Sequence, residues 1–529
     1  MMGILDHVWL GILAVFQGPA LFTLFGIPVP VALVMVTLGV VVGIVVGATP
    51  GLAGPIAMAI SLPILISIFG FRPEALLPVM GFLVGIMKGA TLGGAVPAIL
   101  FNTPGTPDSY MTTLDGWPLA QKGQAGKALR VAHASSVLGD TFSDMVLFVC
   151  APFLAVLVER FLDLPEKAAL LLLSLTFIAA VMGGSVGKGL ISMGLGLLVA
   201  SVGSGEDFYP RLSLGLPALA DGFSLASVVL GVLVLGEVFK GLEDTLREQR
   251  GKARDALTMI GPQHLTRADF GRIMPYVGRS AVIGTVIGAL PGIGSTLAAT
   301  LGYTLGKNRH AKAGRSPAFG DGAIEGVAAT EAANSAVSGA NLIPVLSLGI
   351  PGNAAAVFLI LAADSIGGFN PGPGVFRMPA TGINPEMVVA FGLFALMLTA
   401  NALNWTLGGA VMRASGIMVR IPRALLLPCV ILLTLTSIYV QEPNMSGVVL
   451  TAAFGVLGYL MRRFGISPLP FVIAFILAGP LESTARQAFS ATGGDVWFLV
   501  DRPLAALFTV LGICVAVLNL RKGRSSTKA

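Results

Sequence analysis

Charged residues are scarce in this sequence: Asp, Glu, Lys and Arg make up 11% of its 529 residues, where roughly 25% is usual for a soluble domain. With 55% of the chain hydrophobic and a mean hydropathy of +0.86, that scarcity excludes a soluble globular fold and leaves no stretch for a soluble domain of useful size. Cysteine is nearly absent. Cys150, Cys429 and Cys514 fall in apolar segments without pairing or metal-ligand spacing, which excludes a disulfide framework and predicts small buried hydrophobes. The four histidines, His7, His133, His264 and His310, are scattered. No HExxH pair and no Walker A sequence occurs, so an intramembrane metalloenzyme or an ATPase lacks its residues here. The opening MMGILDHVWL has no basic start of a cleavable signal peptide, and the N-terminus is expected to be retained.

Long apolar runs, by contrast, recur from end to end, as in 386 to 410 and 503 to 520. They predict an all-α polytopic membrane protein of about 12 transmembrane helices plus two helical hairpins. The net charge of +6 is explained by basic loops that fix orientation in a bilayer, and nucleic acid is given no role. Glycine is abundant, with 68 residues. In lipid, helices gain little by hiding apolar surface from one another, so close backbone approach through small residues drives association. Gly39, Gly43 and Gly47 are spaced for a packing seam of that kind.

Basic residues give the orientation. The stretch 240–279 holds Lys240, Arg247, Arg250, Lys252, Arg254, Arg267, Arg272 and Arg279 and is placed in the cytoplasm. It divides a first membrane half, 1–239, from a second, 280–529, which ends in two extra helices. The halves are related: GIVVGATPGLAGPIAMAI (43–60) aligns without a gap on GTVIGALPGIGSTLAATL (284–301), and each half has a second Pro-Gly pair, at Pro104-Gly105 and Pro351-Gly352. After its second pair the first half runs into Lys122, Lys127 and Arg130, whereas between 364 and 385 the second half has only Arg377 as a basic residue. The repeats are therefore expected to be inverted. Segment 281–306 is expected to be a hairpin of two short arms entering from the cytoplasm, with Pro291-Gly292 at its tip, and 28–70 its counterpart from outside.

A Pro-Gly pair ends a helix, and at membrane depth the freed N–H and C=O groups are tolerated only where protein or a wet cavity satisfies them. Four such breaks in two inverted pairs match secondary transporters, where half-helix N-termini face an anion and unwound carbonyls hold a coupling cation. The expected substrate site is accordingly Pro50, Gly51, Asn102, Thr103, Pro104, Gly105, Thr106, Pro291, Gly292, Ser295, Thr296, Pro351, Gly352 and Asn353, with Asp108 and Ser109 beside it. Backbone carbonyls near Gly47, Gly288 and Gly349 are candidates for Na⁺. Hydroxyls and amides bind carboxylates or replace water without burying a full charge; the same residues also serve as ordinary helix caps.

Ionisable residues inside apolar runs add a second group. Lys88 attracts a substrate carboxylate, pairs with a buried acid or snorkels, three readings left open, and Asp140 and Asp144 share one helix face, for coupling or for structure. Glu331 and Asn334 in GVAATEAANSA suggest a site wall, with capping or a salt bridge as the alternative.

GATPGLAGP, GGAVPAILFNTPGTPDSYMTTLDGWPLAQKGQAGKAL, GALPGIGST, GDGAIEGVAATEAANSA and PVLSLGIPGNAAA resemble the signature blocks of the large membrane subunit (TctA family) of tripartite tricarboxylate transporters. The resemblance implies a bacterial inner-membrane permease for citrate or other carboxylates, coupled to Na⁺ or H⁺. It also implies two partners, a small four-helix membrane subunit (TctB-like) and a periplasmic solute-binding protein (TctC-like). The stretch MKGATLGG around Lys88 departs from the family pattern. A passive anion channel also uses broken helices, and two breaks per half favour alternating access over it.

Overall fold

The computed structural model describes residues 3–24, 26–49, 53–182, 185–203, 205–206, 209–213, 219–220, 222–248, 265–290, 294–379, 382–418, 423–441 and 444–526. It is mostly helical, and among the described residues strand is confined to short hairpins such as Ala20–Leu24 with Ile27–Pro30. The chain opens with α1 (Ile4–Phe16), α2 (Val31–Gly47), α3 (Gly54–Phe69), α4 (Leu76–Gly93), α5 (Ala95–Phe101), α6 (Tyr110–Gln121) and α7 (Ala125–Phe161). Then come α8 (Leu164–Met182), α9 (Val186–Ala200), α10 (Leu225–Val229) and, after a π-helical Leu230–Leu235, α11 (Gly236–Glu248). Next are α12 (Arg267–Gly288), α13 (Ser295–Lys312), α14 (Ile324–Ala340), α15 (Leu342–Leu348), α16 (Ala354–Ile366), α17 (Pro385–Leu403) and, beyond a π-helical Asn404–Gly408, α18 (Gly409–Met418). The chain closes with α19 (Arg423–Gln441), α20 (Met445–Arg463), α21 (Leu469–Ala491) and α22 (Pro503–Ser526).

Among the described residues six helices are long and apolar enough to cross a bilayer: Pro73–Phe101, Ala125–Leu157, Leu225–Glu243, Pro385–Ala414, Met445–Arg463 and Leu469–Ala491. Others, such as Val31–Gly47 and Gly54–Phe69, are apolar but shorter. The broken segments account for this: a run that is continuous in hydropathy is divided in geometry.

Two compact units are formed, and they cut across the halves of the sequence. One comprises Met1–Ala155, Arg250–Leu290 and Gly294–Arg423. Within it the same order occurs twice: helix, break, helix, helix, seven-residue helix, break, helix, running from α2 to α6 and again from α12 to α16. Glycines explain the closeness of the packing. A Cβ on Gly43 would lie 2.5 Å from Ile86 O, and one on Gly47 2.2 Å from Ala90 O. Equivalent glycines act alike: Gly284 would meet Ala333 O at 2.3 Å, and Gly288 would meet Val337 Cα at 3.0 Å. The α2–α4 seam is two-sided, because Gly85, Gly89 and Gly93 of α4 press on the backbone of α2 in return. Helices that close exchange dispersion and Cα–H···O contacts over their whole length, which replaces the missing hydrophobic drive in lipid. Across the repeats the packing is reciprocal: α3 and α4 contact α16, while α13 and α14 contact α6.

The other unit comprises Val156–Gln249, Pro291–Ile293 and Ala424–Ala529. In it α8, α9, α21 and α22 pack together, and α20 lies on α11 and the π-helical turn before it. A π turn frees carbonyls from their usual partners. Arg462 supplies donors to two of them, Val232 O at 2.7 Å and Leu233 O at 2.9 Å, while Nε holds Glu237.

Three expectations are adjusted. The connection 240–279 is helical at both ends, since α11 runs to Glu248 and α12 starts at Arg267. That start is set by a capping box between Thr266 and Asp269, so α12 is not the short hairpin arm read from 281 onward. Cys150 and Cys514 are exposed rather than buried; a thiol facing lipid loses nothing that protein burial would give it. The side chain of Cys429 lies outside the described residues.

Candidate functional site

The breaks are built from the ends of short helices. Both α5 (AVPAILF) and α15 (LIPVLSL) carry Pro as their third residue and stop at a left-handed cap, Asn102 (φ 49°, ψ 34°) and Gly349 (φ 72°, ψ 17°). In each the following N–H reaches back to the carbonyl of that proline, Thr103 N to Pro97 O and Ile350 N to Pro344 O, both at 3.2 Å. This bond over six residues closes the helix behind its left-handed residue, and Asn is the residue other than Gly best suited to that position.

The breaks approach one another. A Cβ on Gly105 would lie 2.2 Å from Gly47 O, so the carbonyl ending α2 faces the second break directly. From the second break Asp108 Oδ1 accepts from Thr296 Oγ1 at 2.7 Å, which ties it to the first turn of α13. Gly352, in the fourth break, faces Asn341 at the α14–α15 junction, its Cβ position lying 2.7 Å from Asn341 Oδ1. Ala340, the preceding residue, is what Gly288 meets before the third break.

Around α14 lies a buried polar layer. Lys88 Nζ, with no side-chain exposure, donates to Asp140 Oδ1 at 2.8 Å and to both oxygens of Asp144 at 3.0 and 2.8 Å. Ser338 donates to Asp140, and Asn401 of α17 to Asp144. The helices cross closely enough for this because Gly339 leaves room for Asp144, and Gly139 for Ala332. One turn away, Glu331 is fully buried and accepts from two hydroxyls, Thr112 of α6 and, at 2.9 Å, Ser136 of α7. No ion pair involves Glu331 among the described residues. A scaffold holds the start of α14: Asp115 Oδ1 accepts from the N–H groups of Gly320, Gly322 and Ala323 at 2.9, 3.0 and 2.7 Å.

Among the described residues several buried polar atoms of α7 and of the α14–α15 segment have no partner: both side-chain atoms of Asn334 and Asn341, and the hydroxyls of Ser135, Ser143 and Ser335. Asn334 and Asn341 are each 1% exposed. Leaving such groups unpaired costs about 1–3 kcal/mol apiece, so their retention calls for a ligand, a water or an ion. Two amides offer both donors and acceptors, which suits a carboxylate or the shell of a small cation.

Of the residues expected from sequence, Pro50, Gly51, Pro291 and Gly292 lie outside the described residues. Asn102 is exposed, with its identity explained by its backbone. Thr103 Oγ1 turns back to Phe101 O, Thr106 bonds Ser109, and Asn353 uses Oδ1 to cap α16 through Ala356 N. Thr296 is engaged by Asp108, while Ser295 opens α13 half-buried. Lys88 is the partner of the buried acids Asp140 and Asp144, one of the three readings left open by the sequence. Asn341, Ser335, Thr112, Ser136 and Asn401 were not singled out by their pattern. For Asn341 a signal existed: it sits seven residues after Asn334 on the small-residue helix, at the junction before LIPVLSL. No group of three His, Cys, Asp or Glu residues suited to a metal occurs among the described residues.

A family model described as the tripartite tricarboxylate transporter TctA family matches residues 33–473. The chain is similar to an uncharacterized 52.8 kDa protein in the TAR-I ttuC' 3'region of Agrobacterium vitis, 34% identical over 496 residues, with 93% of each chain covered. It is also similar to an uncharacterized protein in the TAR-II ttuC' 3'region of that organism, 34% identical over 238 residues, covering 45% of this chain and 93% of the relative. No solved structure matches.

Proposed function

Because the chain belongs to the tripartite tricarboxylate transporter TctA family, a transporter component and not an enzyme, we propose that it is the large permease subunit importing citrate or a related di- or tricarboxylate. The amides of Asn334 and Asn341, buried and unpaired among the described residues, with Asn341 Oδ1 2.7 Å from the Cβ position of Gly352 in the fourth break, carry this reading. They supply hydrogen bonds to an anion without the penalty of a buried full charge, while the N-termini of α13 and α16 direct helix dipoles toward it.

The paired contacts of α3 and α4 with α16, and of α13 and α14 with α6, are what a two-fold axis relating inverted repeats produces. Alternating access then consists in one repeat moving against the other around a fixed site. Glu331, buried with hydroxyl partners only, is the coupling position for H⁺ or Na⁺. Carbonyls at Gly47, Gly288 and Gly349 complete a Na⁺ shell if that ion is used. In this reading the chain works in a bacterial inner membrane with a small membrane subunit and a periplasmic solute-binding protein that delivers the carboxylate.

Uptake of a panel of labelled carboxylates, with and without the cognate binding protein and a Na⁺ gradient, tests this. Saturable, gradient-dependent accumulation of at least one di- or tricarboxylate is expected. Counterflow separates the remaining alternative: a passive anion channel gives flux with no stimulation by substrate on the far side.

A further inference from the structure

A second acid group lies in the buried layer, apart from Glu331, and its charges do not balance. Lys88 Nζ spends its N–H groups on carboxylate oxygens, one of Asp140 and both of Asp144. One ammonium therefore faces two carboxylates, with side-chain exposures of 0%, 5% and 2% for Lys88, Asp140 and Asp144. No other cation bonds the two acids among the described residues. Lys88 is the one charged residue of α4, α2 has none, and α17 has only Glu386, in its first turn. Both α14 and α16 add acids alone, Glu325, Glu331 and Asp364. The cations of α7 and α18 are engaged elsewhere or lie turns away: Lys127 pairs with Asp269, Arg130 and His133 precede Asp140 by about two turns or more, and Arg413 donates to Gly409 O.

The hydrogen bonds around the pair leave one carboxylate oxygen open. Asp144 accepts at both oxygens, Oδ1 from Lys88 and Oδ2 from Lys88 and from Asn401 Nδ2 at 2.7 Å. Asp140 accepts twice at Oδ1, from Lys88 at 2.8 Å and from Ser338 at 2.7 Å, and its Oδ2 meets no donor among the described residues. Two more atoms beside these carboxylates are buried without a partner among the described residues, Asn401 Oδ1 and Ser143 Oγ. Ser143 Oγ shares with Asp144 Oδ1 the notch over Gly339, the two lying 2.8 and 2.3 Å from the Cβ position there. Asn401 thus gives Asp144 a donor and keeps an acceptor idle. Turning its amide over exchanges the two, so that Oδ1 receives the O–H of an acid where Nδ2 now serves a carboxylate.

We propose that Asp140 and Asp144 together bind one exchangeable proton, a second proton site beside Glu331. An uncompensated negative charge in the interior of a membrane protein is costly, and two carboxylates that share one ammonium remove the excess by sharing a proton. Uptake from water turns one carboxylate into a carboxylic acid and brings the group to neutrality; only hydrogen bonds are exchanged besides. The proton belongs to the pair, and Asp140 Oδ2, on the more exposed of the two side chains, is where it enters. A Na⁺ ion fits less well, because Nζ fills the seat between the carboxylates and a hard cation needs a shell of several oxygens where a proton needs one. Since Asn401 stands on α17, the proton state decides which hydrogen bond ties α7 to α17.

The test is infrared spectroscopy of the full chain in lipid bilayers, titrated with pH and read at the carboxylic-acid C=O stretch. E331Q serves as the background, so that Glu331 adds nothing to the band, and subtracting E331Q/D140N or E331Q/D144N isolates the pair. A band worth about one proton per chain is expected in E331Q at neutral pH, falling as pH rises and missing from both double variants, because either leaves a single carboxylate against Lys88. E331Q/K88Q lacks the ammonium and should show the band raised about twofold. Persistence of the band in either Asn variant, an unchanged band in E331Q/K88Q, or no band in E331Q wherever the chain stays folded overturns the proposal. A band that appears only when Na⁺ is replaced by choline assigns the neutralising cation to Na⁺ and overturns it too. Where E331Q/D140N does not elute as a folded species, E331Q/D144N and the titration of E331Q decide. No transported solute enters the measurement, so a failure here leaves the carboxylate reading standing.

Discussion

Lys88 and Asp144 form a two-oxygen ion pair in the protein interior, Nζ lying 3.0 Å from Oδ1 and 2.8 Å from Oδ2, with side-chain exposures of 0% and 2%. Asp140 completes the group, joining α4 to α7, and Ser338 of α14 and Asn401 of α17 donate to oxygens that also face Lys88, Asp140 Oδ1 and Asp144 Oδ2. Removing one charge leaves the others buried without compensation. Lys88→Met is expected to cost about 3–5 kcal/mol, read as a large drop in unfolding temperature in detergent. Adding Asp144→Asn to Lys88→Met should recover part of that loss, because it removes one orphaned carboxylate. Equal stability of Lys88→Met and wild type would show that the pair holds nothing together.

The glycine seams make a graded prediction. Gly43→Val and Gly284→Val place a side chain against backbone atoms 2.5 and 2.3 Å from the Cβ position, and each should cost about 3 kcal/mol or prevent folding. Gly271 and Gly278 lie on α12 with nothing within 4 Å; replacing either by Ala should be tolerated and slightly favourable to the helix. Thermal unfolding and membrane yield of the four variants compare the two classes.

Asn102 serves either its backbone or the solute, and two substitutions divide these. Asn102→Ala keeps a Cβ in a left-handed position and strains the cap by about 1 kcal/mol, whereas Asn102→Gly relieves it while removing the amide. If the amide contacts substrate, both variants lose uptake. Full uptake by Asn102→Gly confines the residue to capping α5.

For the fourth break, Gly352→Leu should abolish uptake while expression persists, since its side chain would displace the amide of Asn341, now 2.7 Å from the Cβ position. Asn334→Ala and Asn341→Ala should reduce uptake by tenfold or more with little change in stability, because neither amide has a protein partner to lose. Wild-type uptake rates in both would move the carboxylate site elsewhere.

Glu331→Gln preserves the size of the side chain but not its ability to gain or lose a proton or to balance a cation. Gradient-driven accumulation should fall away while counterflow continues. Retention of full gradient dependence in Glu331→Gln would place coupling on another residue.

Some of this was visible before any coordinates. The paired Pro-Gly motifs appear as breaks because proline and glycine act locally through the backbone, and the four-residue glycine spacing appears as a seam because helical periodicity alone sets it. Asn353 reads equally as ligand or cap from its neighbours, and its bond to Ala356 N is decided by the local turn. Lys88 could not be resolved in the same way: its partners lie 52 and 56 residues away, and no local pattern reports a contact at that separation.

The amino-acid order by itself determined that this chain lives in a bilayer, that it folds as helices, and that those helices are interrupted at repeated places, since hydropathy, helical period and the geometry of Pro and Gly are properties of short segments. Only the tertiary structure decided which buried charges neutralise one another and that, among the described residues, Glu331 meets hydroxyls and no cation while Asn334 and Asn341 are left unpaired. Those outcomes depend on which helices come within hydrogen-bond reach, a relation between distant segments that their separate compositions do not contain.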